Sequence, residues 1–198
     1  EGFIPESGRG IQCCTAHSLG QNFSKMFGIE FQDKNGETKF VWQTSWGFTT
    51  RSIGVMLMTH GDDKGLILPP QVAHIQVVII PIFKKKNKEL LLKYTDKISK
   101  MFASTNVKIH IDTRNKHNIG WKYNYWETNG IPLRFEIGQK EMESDCVVIY
   151  RRDLNKKEKI GISDLVYVTN ILLDKEIPKT MYNNAFDKFK KSIEYVFT

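Results

Sequence analysis

Within the stretch TSWGFTTRS, residues 44–52, a large ring, a bare backbone position, two hydroxyls and a cation fall within six positions. Such a set suits a phosphate-bearing ligand. A helix beginning near Thr49 or Thr50 presents unpaired N–H groups and the positive end of its dipole. Gly47 lets a ligand approach the backbone closely. The threonine hydroxyls can donate to a ribose or a phosphate, and Arg51 can make planar two-point contacts to phosphate or stack on a base. Trp46 can wall an apolar pocket. The same residues also fit a capped core helix with a surface Arg and a packed Trp, and composition alone does not separate the two readings.

A second concentration is GWKYNYWETNGIPLRFEIGQKE, residues 120–141. It offers aromatic rings, then Arg134 alternating with Glu136, then Lys140 beside Glu141. Unpaired bases are recognised by stacking and by hydrogen bonds to their exposed edges. A carboxylate accepts from the N1–H and N2–H₂ of guanine, and an Arg donates to its O6 and N7. The structural alternative is a salt-bridge ladder on an edge strand, whose cross-strand pairs carry little energy.

The elements that must position these groups follow from periodicity. GFIPES reads as a short strand, and GRGIQCCTAHSLG as a turn holding Gln12, Thr15 and His17 before a helix with Leu19, Phe23, Met26 and Phe27 in register. IEFQ and KFVWQTSW alternate apolar and polar residues around Asn35-Gly36, a hairpin signal. A helix over Ile53, Val55, Met56 and Met58 follows. Pro69-Pro70 marks a boundary. Beyond it, IQVVIIPIF reads as a strand covered on both faces. A helix over Leu91, Tyr94, Ile98 and Met101, a strand NVKIHID, an aromatic helix, the alternating strand IPLRFEIG and the strand CVVIYRRD come next. KIGIS is a further candidate strand, and residues 163–175 and the tail after Met181 read as helical. KKKNK (84–88) and KKEK (156–159) read as solvated loops that add phosphate attraction weakening with salt. Strand–helix alternation predicts an α/β layer with partly parallel pairing. The expected units are 1–72, 73–175 and a helical linker, 176–198, to a C-terminal extension.

The 198 residues are 40% hydrophobic and 26% charged, which implies a buried core. The net charge of +7 favours a polyanionic partner. Three cysteines, two of them vicinal, make no disulfide framework and no zinc spacing, and imply reduced thiols in the cytoplasm. No apolar run approaches the roughly 20 residues of a membrane span, so no membrane partner is expected. The start is not a signal peptide and has no Met; the chain reads as a fragment.

SGRGIQ..T.H.LGQNFSKMF followed by QTSWGFTTRSIGVM.MTHGDDKGL.LPP resembles the C-terminal part of the catalytic domain of prolyl-tRNA synthetases of the eukaryotic and archaeal-like type. The block around Arg51 resembles motif 3 of class II aminoacyl-tRNA synthetases, and residues 73–175 resemble the anticodon-binding domain of class IIa enzymes. The resemblance implies an α/β (α+β) fold: a partial antiparallel catalytic sheet, then a mixed-sheet anticodon-binding domain. It implies activation of L-proline with ATP, accompanied by Mg²⁺, and transfer to tRNA(Pro). Gln12, Thr15, Thr49 and Arg51 would bind ATP, with Arg51 the catalytic cation; His17, Ser45, Trp46 and Gly47 would shape the proline pocket. Glu127, Arg134, Lys140 and Glu141 would contact the anticodon. Homodimerisation is expected through upstream segments, and any zinc site in a C-terminal domain outside this chain.

The departures are specific. Cys13-Cys14 replaces a small-residue pair, Ser18 stands where a second His is common, and Gln139 with Glu141 replaces a usual Pro-Asp. Motifs 1 and 2 are not found, so the chain alone is expected to form no adenylate. The competing function is a non-catalytic RNA-binding or accessory module derived from a class II synthetase, for which intact Gln12, Thr49 and Arg51 would have no use.

Overall fold

A computed structural model describes residues 1–83 and 85–194; the first lysine of the KKKNK run and the end of the C-terminal tail lie outside the described residues. Contacts divide the chain into two compact units, Glu1–Thr59 and His60–Thr198.

The first unit is built from antiparallel pairs. β1 (Gly2–Ile4) pairs with β2 (Arg9–Ile11), and β3 (Cys14–Gly20) leads into the short helix α1 (Asn22–Phe27). β4 (Glu30–Gln32) and β5 (Thr38–Phe40) close the hairpin expected at Asn35-Gly36, where Gly36 takes a φ of 79°. β6 (Gln43–Phe48) pairs with β3, and α2 (Arg51–His60) follows. Two expectations are corrected. Thr15 and His17 lie on a strand, not in a turn, and Leu19 ends that strand instead of starting a helix. The threonine, cysteine and histidine of this stretch suit a pleated surface, which the helical reading of the residues after them obscured.

The second unit is a five-stranded mixed sheet with helices on both faces. Its strands are β7 (Val77–Pro81), β8 (Ile109–Ile111), β9 (Leu133–Ile137), β10 (Cys146–Arg151) and β11 (Lys156–Gly161), in the order β11-β10-β9-β7-β8. β7 runs parallel to β8 and β9, while β9–β10 and β10–β11 are antiparallel. KKEK is therefore not a loop but the start of an edge strand, where lysines discourage pairing with other chains. The helices are α3 (Lys88–Lys100), α4 (Ile119–Thr128), the single turn α5 (Gln139–Glu143), α6 (Ile162–Ile171) and α7 (Ile177–Glu194).

Alternation on β9 sorts the core. Leu133, Phe135 and Ile137 share a face with Val77, Ile79 and Ile149 and pack with Ile98, Phe102 and Leu165. Each such fully buried side chain contributes about 1.5–3 kcal/mol. The opposite face, with Val78 and Ile80, meets Trp126 and Ile131 at the end of α4. A π-helical segment, Leu172–Glu176, joins α6 to α7 without a break, and Leu173, Ile177 and Met181 all enter the core. The domain's packing therefore continues past residue 175, where a linker was expected to begin.

Residues 60–72 also belong to this unit, and not to the one before it. Leu66 N–H donates to Thr128 O at 3.0 Å and Leu68 N–H to Gly130 O at 3.2 Å. The approach is close enough that a Cβ on Gly65 would lie 2.5 Å from Thr128 Cα, and one on Gly130 would lie 2.6 Å from Leu66 Cβ. Both glycines have positive φ, 129° and 71°. Alanine at either position should destabilise the domain by more than about 1 kcal/mol. Gly54, inside α2 with open space around it, should instead tolerate alanine with a gain of about 0.5–1 kcal/mol. Urea unfolding of the three variants checks both signs.

Candidate nucleic-acid interface

β9 is the middle strand, so Arg134 and Glu136 do not form an edge ladder; they are buried, 3% and 6% exposed. Register places them beside Tyr150 and Val148 of β10, and Tyr123 of α4 packs above. The Arg134 guanidinium lies between two rings, 4.0 Å from the centre of Tyr123 and 4.1 Å from that of Tyr150. Its edges donate to Glu127 at 2.7 Å and to Glu136 at 2.9 and 3.1 Å. Lys157, on β11, completes the set by donating to Glu136 at 2.6 Å. Two cations and two carboxylates thus balance in a site where an unpaired charge is costly. Burial and the neighbouring Glu136 push the Tyr123 hydroxyl well above its usual range; burial and Glu127 raise Tyr150. Both stay neutral at ordinary pH.

This arrangement reassigns the aromatics. Tyr123 and Tyr150 serve Arg134 instead of a base, and Trp126 is buried, donating to Asp112 at 2.8 Å. Trp121 and Tyr125 are partly exposed but stack in a ladder with His117, with ring centres 3.7 and 5.0 Å apart. Arg114 lies 4.4 Å over Tyr125 and donates twice to Asp112, at 2.9 and 2.7 Å. Of the buried network, Glu127 keeps 18% of its side chain exposed against 4% for Arg134. Glu127 is therefore the more accessible member of the pair, and Arg134 holds its carboxylate.

Lys140 and Glu141 lie beyond the carboxyl end of β9, on α5. Glu141 is partly committed, accepting from Gly138 N–H at 2.9 Å, while Lys140 is exposed. They line a cleft of about 600 Å³ with Ile82 and Phe83 just past β7, Ile119 at the start of α4, and Gly138. β7 and β9 are parallel, and crevices at the carboxyl ends of parallel strands are where open α/β sheets take ligands. The four expected residues therefore form two pairs: Glu127 with Arg134 in contact, and Lys140 with Glu141 at the strand's end. Tyr123 and Tyr150 were not expected to hold a cation, and Lys157 was expected only as part of a solvated loop; the alternation that set Arg134 and Glu136 on one face carried no sign of which rings would enclose them.

In the first unit, register sets Thr15 opposite Gly47 and His17 opposite Ser45, on one face of the β3–β6 ribbon. A Cβ on Gly47 would lie 3.4 Å from Thr15 Oγ1. Trp46 pairs with Ala16 on the other face and is 79% exposed. Cys14 pairs with Phe48, and Ser52 donates to Cys13 O at 3.0 Å. Gln12, Thr49 and Arg51, the first residue of α2, are exposed and flank this paired end in sequence. Among the described residues no three His, Cys, Asp or Glu side chains gather as a metal site, and no helix is long and apolar enough to cross a membrane.

Residues 76–169 match the family of anticodon-binding domains. The cytoplasmic proline–tRNA ligase of Arabidopsis thaliana is 45% identical over 199 residues, covering 100% of this chain and 37% of that protein. Along its whole length, then, the chain is similar to part of a proline–tRNA ligase. The proline–tRNA ligase of Natranaerobius thermophilus is 45% identical over 163 residues, 82% of this chain and 34% of its own length. The bifunctional glutamate/proline–tRNA ligase of Cricetulus griseus is 46% identical over 197 residues, 96% of this chain and 13% of its own length. Set against proline–tRNA ligases, then, the chain spans about a third of the first two relatives' length.

Two outcomes follow for this domain. Arg134→Ala, which strands a buried carboxylate and empties the slot between two tyrosines, should cost about 3–5 kcal/mol in urea unfolding. Acid should loosen the domain through Asp112 and Asp62. Burial raises the Asp112 carboxyl, but Arg114, Trp126 and Lys122 together outweigh it and hold it below its usual value; Arg152 holds Asp62 down to about 2. Both are depressed in the folded state, so their stabilisation is full above the unfolded value of about 4 and is lost as pH falls through the folded values. Melting temperatures between pH 5 and pH 2 should fall steeply, and less so for Asp112→Asn.

Proposed function

We propose that the chain is the part of a proline–tRNA ligase that carries motif 3 and the anticodon-binding domain, in an enzyme that activates L-proline with ATP and charges tRNA(Pro). The observation that carries this reading is identity of 45% over a span that takes in the whole chain. The physical case is consistent. Attack of a carboxylate on the α-phosphate concentrates negative charge, and Arg51 at a helix start would stabilise it. Gln12, Thr15 and Thr49 would hold the nucleotide, and the Thr15–His17–Ser45–Gly47 face would bear on proline; Trp46, expected to wall that pocket, lies on the ribbon's other face and would not line it. Positioning supplies most of the rate in such a reaction, so no general base is assigned. Mg²⁺ would arrive on the triphosphate; the described residues offer it no cage of their own, and no step is routed through it. Zinc, pairing of two copies and a cytoplasmic setting belong to the same proposal for the longer protein.

On the RNA side, Glu127 would accept from a guanine edge while Arg134 fixes the carboxylate. Lys140 and Glu141 would meet the loop at the cleft. Lys156 and Lys159 on the exposed edge strand would add attraction to phosphates that is independent of sequence.

Proline-dependent ATP–pyrophosphate exchange by the full-length protein tests the enzyme reading. Exchange should be present in the wild type and fall by at least 10²-fold in Arg51→Ala with folding retained. An intact protein that shows none would instead support a non-catalytic RNA-binding module.

A further inference from the structure

Arg152 is the largest fully buried side chain, 1% exposed. Its fork donates to both oxygens of Asp62, at 2.8 and 2.5 Å, and to Gly65 O at 3.2 Å. The remaining Nε–H donates at 3.1 Å to the backbone carbonyl of Glu127. That carbonyl lies in the last turn of α4, and the Glu127 side chain, from the same residue, meets Arg134 at 2.7 Å. The next residue, Thr128, accepts from Leu66, and Gly130 accepts from Leu68. One planar cation therefore ties the segment after α2 to the residue whose partly exposed carboxylate meets Arg134.

We infer that Asp62 and Arg152 are positioning residues for base recognition: Asp62 fixes the plane of Arg152, and Arg152 fixes the backbone from which Glu127 reaches a guanine edge. The inference rests on the reading of residues 76–169 as anticodon-binding and extends it to two residues that touch no base. Asp62 suits the task because it is the partly open partner, 33% exposed, against a sealed cation. Arg suits it because a planar fork can hold a carboxylate with one edge and a carbonyl with the other, which a lysine ammonium cannot do with fixed geometry.

The test uses the full-length protein and an anticodon stem-loop RNA of tRNA(Pro), compared with the same RNA carrying inosine for each loop guanine. Inosine lacks the N2 amino group that a carboxylate accepts from. The wild type should prefer guanine about tenfold, the worth of one base-edge contact. Asp62→Asn should lose most of that preference. Because a stranded Arg152 also costs stability, the double variant Asp62→Leu with Arg152→Met is measured beside it. Replacing both partners removes the stranded buried cation, so its melting temperature should return toward the wild type while the guanine preference stays lost. Arg152→Lys, which keeps the charge but not the reach to Glu127, should behave like Asp62→Asn and stands in if either other variant fails to fold. Full guanine preference in a stably folded variant of either kind would overturn the inference and leave the pair purely structural. A wild type that binds guanine and inosine equally would overturn instead the assignment of Glu127 to the anticodon.

Discussion

The second unit is organised around a guanidinium that cannot be left alone. Arg134 stands on the central strand of the sheet, nearly sealed from water, where a charge must be matched and hydrogen-bonded. Each requirement recruits an element. Glu136 comes from the same strand, Tyr150 from β10, Lys157 from β11, and Tyr123 and Glu127 from α4. The α4 helix is thereby docked over the sheet by polar contacts from Tyr123 and Glu127 to Arg134 and by Trp126, between them, against Val78 and Ile80. So much polarity is tolerated in an interior because each charge meets an opposite charge and each donor an acceptor within the domain.

Much of the architecture was legible from the chain. The β-branched run at 77–81 is buried at every position, as its lack of alternation implied. The strict alternation of 133–137 sorted core from network, and Asn35-Gly36 marked its hairpin. What did not show was of two kinds. Local signals misled where lysines crowded an edge strand and where Thr15 and His17 looked like turn residues. Long-range pairing left no trace at all: Asp62 and Arg152 are 90 residues apart and only the fold brings them together. The aromatics near 121–126 were visible as a cluster, but whether a ring meets a base, a cation or another ring depends on neighbours contributed by other strands.

The two clusters also differ in how complete they are. The Arg134 network is closed within its own unit, every charge answered. The β3–β6 ribbon carries its expected residues in the open, with Trp46 and Phe48 largely exposed. The proposal for the first unit therefore rests on identity and register, and that for the second on a finished piece of chemistry.

The π-helical segment between α6 and α7 has a geometric corollary. Leu165, Thr169, Leu173, Ile177 and Met181 follow one another at intervals of four and are all buried. In a helix of about 3.6 residues per turn, each such step over-rotates by about 40°, so five residues would drift roughly halfway round the axis. The wider turn at 172–176 takes back part of that rotation and keeps the stripe aimed at the sheet. Losing one residue there would swing everything beyond it by about 100°, turning Ile177 and Met181 toward solvent. The length of that short stretch, more than its chemistry, governs which side of the final helix the domain can use as an inner wall.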